Sequence, residues 1–189
     1  MDKRELRRIL RELKRVVLPD TDCTRCEKAV FSTIEALHEF AGSRNILMYY
    51  SLPDELTTVS TLNRWQDAGR QVYLPRVNGD LLDIMPYVPD NMAKGAFGIN
   101  EPMEGVVAAP GCIDMVIVPG VAFDCECNRL GRGRGFYDRL LSGMRPGVVT
   151  VGVGYDFQLI DHVPVEEHDI KLDYVVTPSC LIVKKEKQD

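Results

Sequence analysis

The order of apolar patterns along the chain predicts an α/β fold with a doubly wound, mostly parallel, Rossmann-like sheet. Three observations carry this. Segments with apolar residues at three- and four-residue steps alternate with short apolar runs, in the order helix, helix, strand, helix, strand. The runs at 45–51, 114–118 and 148–153 have almost no polar face, as strands covered on both sides require. The connections are short, which suits helices laid back against one sheet.

Each element follows in turn. Residues 2–17 form the first helix, with Leu6, Ile9, Leu10, Leu13 and Val17 on one face and Lys3, Arg4, Arg7, Arg8, Arg11, Lys14 and Arg15 on the other. Most of these cations read as a solvated face, but Lys3 and Arg7, four apart near the start, are placed to reach a phosphate site elsewhere. Leu18-Pro-Asp20 ends this helix. A second helix is expected over 23–40, capped by Asp22 or Thr21, with Ala29, Val30, Thr33, Ile34, Leu37 and Phe40 inward and His38 at the surface or its boundary. Residues 45–51 are a buried strand that feeds Leu52-Pro-Asp-Glu55, a loop with two carboxylates. Residues 58–68 are the third helix, stopped by Gly69, and 71–75 the next strand. Asn78-Gly79 signals a hairpin joining 72–77 to 81–87, one antiparallel piece. Residues 86–110 are broken up by proline and glycine, and Gly98-Ile-Asn-Glu-Pro102 within them is expected to form part of a substrate wall. After the buried strand at 148–153 come an acid-rich loop at 163–173 and a last strand at 174–176. The charged tail, 184–189, is expected to fray. Neither a repeat nor a linker interrupts residues 1–189, which read as one domain.

The totals narrow the class. With 45% hydrophobic and 27% charged residues, the composition is that of an ordinary soluble globular protein. A net charge of −5 argues against indiscriminate binding to nucleic acid or anionic membrane. No apolar run approaches the roughly 18 residues of a membrane span. The start, Met-Asp-Lys-Arg-Glu-Leu-Arg-Arg, lacks the apolar core of a signal peptide, so a cytoplasmic enzyme is expected. Cys23/Cys26 and Cys125/Cys127 are poorly spaced for zinc and have no neighbouring histidine, so the six cysteines read as free, reduced thiols.

The stretch from Val118 to Leu141 carries the chemistry. An apolar strand leads through Gly131-Arg-Gly-Arg-Gly135 into a helix that starts near Phe136. Glycines let the backbone approach a ligand, arginines offer charged forks for phosphate, and a helix start adds free N–H groups. Together they suggest a polyphosphate site. The loop has no Gly-Lys-Ser/Thr and does not fit Gly-x-Gly-x-x-Gly, so its arginines must supply the neutralising charge. Arg132 and Arg134 alternate; one is placed for a triphosphate and the other for a second substrate. Asp138, in the first helical turn, reads equally as a helix-dipole partner or a Mg²⁺ ligand, with Asp169 or Asp173 as a second carboxylate. His162 and His168 read as loop residues. An RNA-binding arginine–glycine segment is the rival reading; the five-residue tract, its place between strand and helix, and the acidic chain oppose it.

These residues resemble the 5-formyltetrahydrofolate cyclo-ligases (5,10-methenyltetrahydrofolate synthetases). Val118-Pro-Gly-Val-Ala-Phe-Asp124 followed by Asn128-Arg-Leu-Gly-Arg-Gly-Arg-Gly-Phe-Tyr-Asp138 is similar to that family's signature. Lys3-Arg-Glu-Leu-Arg7, Ser51-Leu-Pro-Asp-Glu55, Leu74-Pro-Arg76, Gly98-Ile-Asn-Glu-Pro102, Gly154-Tyr155 and Asp169-Ile-Lys-Leu-Asp173 add to the match, which spans nearly the whole chain. The resemblance implies a three-layer α/β/α fold of NagB/RpiA/CoA-transferase-like architecture and a monomer acting on small molecules, with no nucleic acid or membrane partner. It implies an ATP- and Mg²⁺-dependent closure of 5-formyltetrahydrofolate to 5,10-methenyltetrahydrofolate, through phosphorylation of the formyl oxygen and attack by N10. An inactive or substrate-shifted relative of the same fold is the alternative. By position, Lys3, Arg4, Arg7, Arg129, Gly131, Arg132, Gly133, Arg134, Gly135, Phe136 and Tyr137 are implied ATP contacts. Tyr50, Glu55, Arg132, Gly133, Arg134, Gly135 and Phe136 are implied folate contacts; Arg132, Arg134 and Asp138 are implied catalytic residues; Asp138 and Asp169 are implied magnesium carboxylates. Three positions depart from the family pattern: Cys127 stands where glycine is usual, Phe136 where tyrosine is usual, and Asp156 where a small residue is usual, at the expected pocket rim.

Overall fold

The computed structural model describes residues 1–185; the end of the expected tail, 186–189, lies outside the described residues. Helix α1 (Lys3–Val17) opens on Asp2, whose carboxylate accepts from the Glu5 amide. Its buried stripe is narrower than the expected apolar face. Leu6, Leu10 and Lys14 are covered, while Ile9 and Leu13 are each 39% exposed and Val16 more so. The helix lies over a small hairpin rather than flat on the sheet, and Leu6 and Leu10 meet Ala122, Leu130 and Val163 there.

The helix expected over 23–40 is two helices, α2 (Cys23–Glu35) and α3 (His38–Gly42). Asp22 caps α2 as expected. Leu37 breaks the run with an extended ψ of 140°. The turn brings the Phe40 ring to 4.8 Å from that of Trp65, and the Arg70 guanidinium lies 3.8 Å from the Phe40 centroid. Strand β1 (Asn45–Leu47) is shorter than the apolar run, which leaves the sheet after Met48 bonds to Tyr73. Helix α4 (Val59–Asp67) is capped from outside itself: buried Glu27 of α2 accepts from Ser60 Oγ at 2.5 Å, Thr61 Oγ1 at 3.0 Å and Thr61 N at 3.3 Å. Strands β2 (Gln71–Asn78) and β3 (Leu81–Pro86) form the expected hairpin, with Asn78 opposite Leu81 and Gly79 at φ 60° in the turn.

The irregular region contains a further hairpin, β4 (Met92–Lys94) with β5 (Asn100–Pro102). Then come β6 (Met115–Pro119), the hairpin β7 (Ala122–Phe123) and β8 (Arg129–Leu130), α5 (Phe136–Ser142) and β9 (Val149–Val153). Strand β10 (Tyr174–Thr177) is not the last: β11 (Cys180–Val183) folds back on it as an antiparallel edge.

The main sheet runs β11-β10-β9-β6-β1-β2-β3. Its five inner strands are parallel, and hairpins close both edges. Successive strand residues point to opposite faces. Ile46, Met115 and Ile117 meet α2 and α4 through Val30, Phe31, Ile34, Leu62 and Trp65. Leu47, Val116 and Val118 meet α5 through Leu140 and Leu141, with Phe123 and Leu172 beside them. The result is the expected three-layer α/β sandwich.

Two of the departures from the family pattern find their setting here. Cys127 takes φ 61°, a left-handed value that favours glycine, and its side chain is fully buried. Asp156 is not at a pocket rim: it accepts from Ser179 N and Oγ and ties the turn after β9 to the β10–β11 hairpin.

Candidate active site

A cavity of about 750 Å³ opens where β1, β2 and β6 end, as the carboxyl ends of a doubly wound sheet lead one to expect. Tyr50 and Glu55 follow β1, Pro75 and Val77 belong to β2, and Pro119 and Gly120 end β6. The glycine–arginine loop crosses it, α1 supplies Lys3, Arg4 and Arg7, and the acid-rich loop supplies Glu166, His168 and Asp169.

The loop is shaped by two glycines. Gly133 has φ 101° and Gly135 φ 66°, values that a side chain would strain. A Cβ at Gly133 would stand 3.3 Å from the Arg7 guanidinium. Arg7 Nε donates to the Gly131 carbonyl at 2.8 Å, so helix and loop meet directly. The two loop arginines go to different walls. Arg132 donates to Glu55 through Nε at 3.1 Å and Nη2 at 3.0 Å, and to Asp54 through Nη2 at 2.8 Å. Arg134 stacks 4.3 Å from the centroid of Phe97, whose ring lies 6.3 Å from that of Phe136.

Beneath the loop, Arg129 has a side chain only 5% exposed and donates to Asp138 at 2.9 Å. Its charge is therefore committed inside the protein, beside the Tyr137 ring. The Tyr137 hydroxyl is buried without a described partner, and burial pushes its titration well above the usual range. At the other wall, Lys3 reaches Asp169 at 2.6 Å and Glu166 at 3.0 Å. Burial alone would lower the Lys3 ammonium, but these two carboxylates outweigh it and hold it raised. Burial alone would likewise raise Asp169, yet Lys3 and the Glu166 amide hold it below the ordinary carboxyl range.

A profile of the 5-formyltetrahydrofolate cyclo-ligase family matches residues 1–178. The chain belongs to the 5-formyltetrahydrofolate cyclo-ligase family. It is 36% identical over 144 residues to the 5-formyltetrahydrofolate cyclo-ligase of Escherichia coli (strain K12), covering 72% of this chain and 79% of that protein. It is 32% identical over 150 residues to the one from Mycolicibacterium smegmatis, covering 75% and 77%. The solved structure of Aquifex aeolicus 5,10-methenyltetrahydrofolate synthetase superposes with a TM-score of 0.86 at 31% identity, over 100% of this chain and 96% of that one.

Every residue that the cyclo-ligase resemblance implies as an ATP, folate, catalytic or magnesium contact lines this one cavity, from Lys3 and Arg4 to Asp169. Their present partners are less uniform than the sequence suggests. Arg129 and Asp138, expected on nucleotide and metal, hold each other, and Arg132, expected on both ATP and folate, pairs with Glu55, expected on folate. Asp173, the other candidate carboxylate, is not part of the site: it accepts from Thr150 N and Oγ1 and pairs with Lys184. Glu166, His168 and Asp169 bring possible ligand atoms within 4.8 Å of one another, and Asp138 is not one of that group.

The residues present fit the ligands that the cyclo-ligase family implies. The glycine loop leaves bare backbone where a side chain would meet Arg7, as close approach of a polyphosphate requires. Asp138, Asp169 and Glu166 offer the hard carboxylate oxygens that suit Mg²⁺. The sequence reading missed Phe97, which lies one residue outside the flagged segment, and Val77 and Leu82 on the hairpin. A single exposed aromatic in a proline- and glycine-rich stretch carries no local signal of its place.

Proposed function

We propose that this protein converts 5-formyltetrahydrofolate to 5,10-methenyltetrahydrofolate, consuming ATP and releasing ADP and phosphate. The observation that carries this is the splitting of one loop between two walls of one cavity. Arg132 faces Glu55, and Arg134 faces Phe97, with Gly133 between them and the α1 cations behind. Such a loop can touch two anionic substrates at once.

Carboxylate Glu55 and Tyr50 suit a pterin, whose amino and N–H groups are donors and whose ring is flat. Lys3, Arg4 and Arg7, with the amides of 131–135, suit the phosphates. Asp138 and Asp169 would hold Mg²⁺, which would neutralise charge on the phosphate oxygens in transfer. A formyl oxygen is a poor leaving group. Transfer of the γ-phosphoryl group to it makes it a good one; N10 then adds to the formyl carbon and gives up its proton to solvent, the C–O bond breaks, and phosphate departs. Arg134 and Arg132 are placed to balance the charge on the transferring and departing phosphate. Enclosure by Phe97, Phe136 and the β2–β3 hairpin would keep water from the activated formyl carbon.

The reading predicts one ADP per methenyl product, measured on the same samples by coupled assay and absorbance. ADP released in excess of product would mean plain hydrolysis and would count against it. Arg134→Ala and Asp138→Ala should each lower kcat at least 100-fold, on the order of 3 kcal/mol of barrier, while circular dichroism stays native. A wild-type rate in either variant removes that residue from its proposed role.

A further inference from the structure

Three cations of α1 lie on one face: at 100° per residue, Lys3, Arg7 and Lys14 fall within about 40° of one another. Each is tied to a different loop beside the cavity. Lys3 holds the acid-rich loop through Asp169, Arg7 holds the glycine loop through the Gly131 carbonyl, and Lys14 holds Asp54 at 3.3 Å. The first two belong to the proposed phosphate site. Lys14 does not line the cavity, yet it is only 8% exposed and continues the stripe of Leu6 and Leu10, where an aliphatic residue would pack.

Its described acceptor explains that position. Asp54 Oδ2 takes Lys14, and Asp54 Oδ1 takes Arg132 Nη2 at 2.8 Å. Arg132 in turn lies on Glu55. Lys14, Asp54, Arg132 and Glu55 thus form a row of alternating charges from the helix to the loop, two of each sign. Burial alone would raise the Asp54 carboxyl; Lys14 and Arg132 outweigh it and keep it ionised. Arg132 is half exposed, with a long side chain that one partner would leave free to swing. If Glu55 turns to a bound substrate, Asp54 remains as the carboxylate that fixes the guanidinium.

We infer that Asp54 is a positioning residue that fixes Arg132 for the reaction, and that Lys14 is the counter-charge that holds Asp54 in place. For its kinetic effect this rests on the proposed activity; for its geometry it does not.

The test uses the full chain with Asp54→Asn, Asp54→Glu and Lys14→Met, the last filling a buried site with an apolar chain of similar length. Displacing a charge by about 1 Å can cost up to about 100-fold in rate. Asp54→Asn and Lys14→Met are expected to lower kcat 10- to 100-fold, with KM changed less than threefold, and Asp54→Glu to recover part of the loss. In an Arg132→Lys background, Asp54→Asn should cost nothing further. Reaction of Arg132 with phenylglyoxal, followed by peptide mass mapping without substrates, should quicken several-fold in Asp54→Asn. Wild-type kcat in both Asp54→Asn and Lys14→Met overturns the inference, as does an undiminished loss in the Arg132→Lys background. If the wild-type protein forms no product, the proposed activity fails, and labelling alone decides: equal rates at Arg132 in wild type and variants overturn the positioning role.

Discussion

Cys127 shows how much a single residue can carry. Its φ of 61° is left-handed, and its thiol is buried and pushed up to about 11 by that burial. The strain of such a φ for a non-glycine residue is about 1–2 kcal/mol. Cys127→Gly relieves it, whereas Cys127→Ala removes the sulfur and keeps the strain. Chemical denaturation should therefore find the glycine variant more stable than the alanine variant, by up to about 1 kcal/mol; the opposite order contradicts the strain. The sequence made this position legible, because the motif around it marks a glycine site. Phe97 was not legible. It is 55% exposed, so its ring adds little to stability, yet it stacks with Arg134 inside the cavity. Phe97→Ala should raise substrate KM at least fivefold while Tm moves by less than about 2 °C. A large fall in Tm with unchanged KM would make the ring structural instead.

Among elements, α1 departs most from its sequence pattern. Its cations other than Lys3 and Arg7 read as a solvated face, Lys14 among them, because periodicity records which side is apolar, not what a neighbouring loop will offer. Lys3 and Asp169 are both largely covered, at 15% and 14% side-chain exposure, so removing one leaves the other's charge covered without that partner. Lys3→Met should release the acid-rich loop and speed hydrogen exchange at the Asp169 amide, which now donates to Glu166. Unchanged exchange there would mean that the loop holds itself. The long strands and helices were legible because runs of five or more residues show their period. The two-residue strands β7 and β8 were too short to show one, and β11 was hidden because an edge strand needs only one covered face. The break at Leu37 was hidden as well: Phe40 keeps the helical spacing, and only the packing of its ring on Trp65 reveals the turn.

For the whole molecule, carboxylates set the response to acid. Asp54, Asp114, Asp156 and Asp169 are all held below their ordinary value: burial opposes this in each, and cations or amide, hydroxyl and ammonium donors prevail. A depressed folded pKa gives stability that is present above the unfolded value, near 4, and lost as pH falls through the folded value. Stability against urea should thus be nearly level from pH 7 to about 5 and fall steeply below about 4; a steep loss already between 7 and 5 would contradict these assignments. The sheet places three loops and one helix around a single cavity, and the two loop arginines go to different walls of it, an arrangement that the proposed use of two anionic substrates requires. The most direct test of that claim mixes the wild-type protein with 5-formyltetrahydrofolate and follows methenyl absorbance, with ATP and Mg²⁺ each present or withheld. Product is expected only when both are present. No product in the complete mixture, or the same product without ATP, would contradict it.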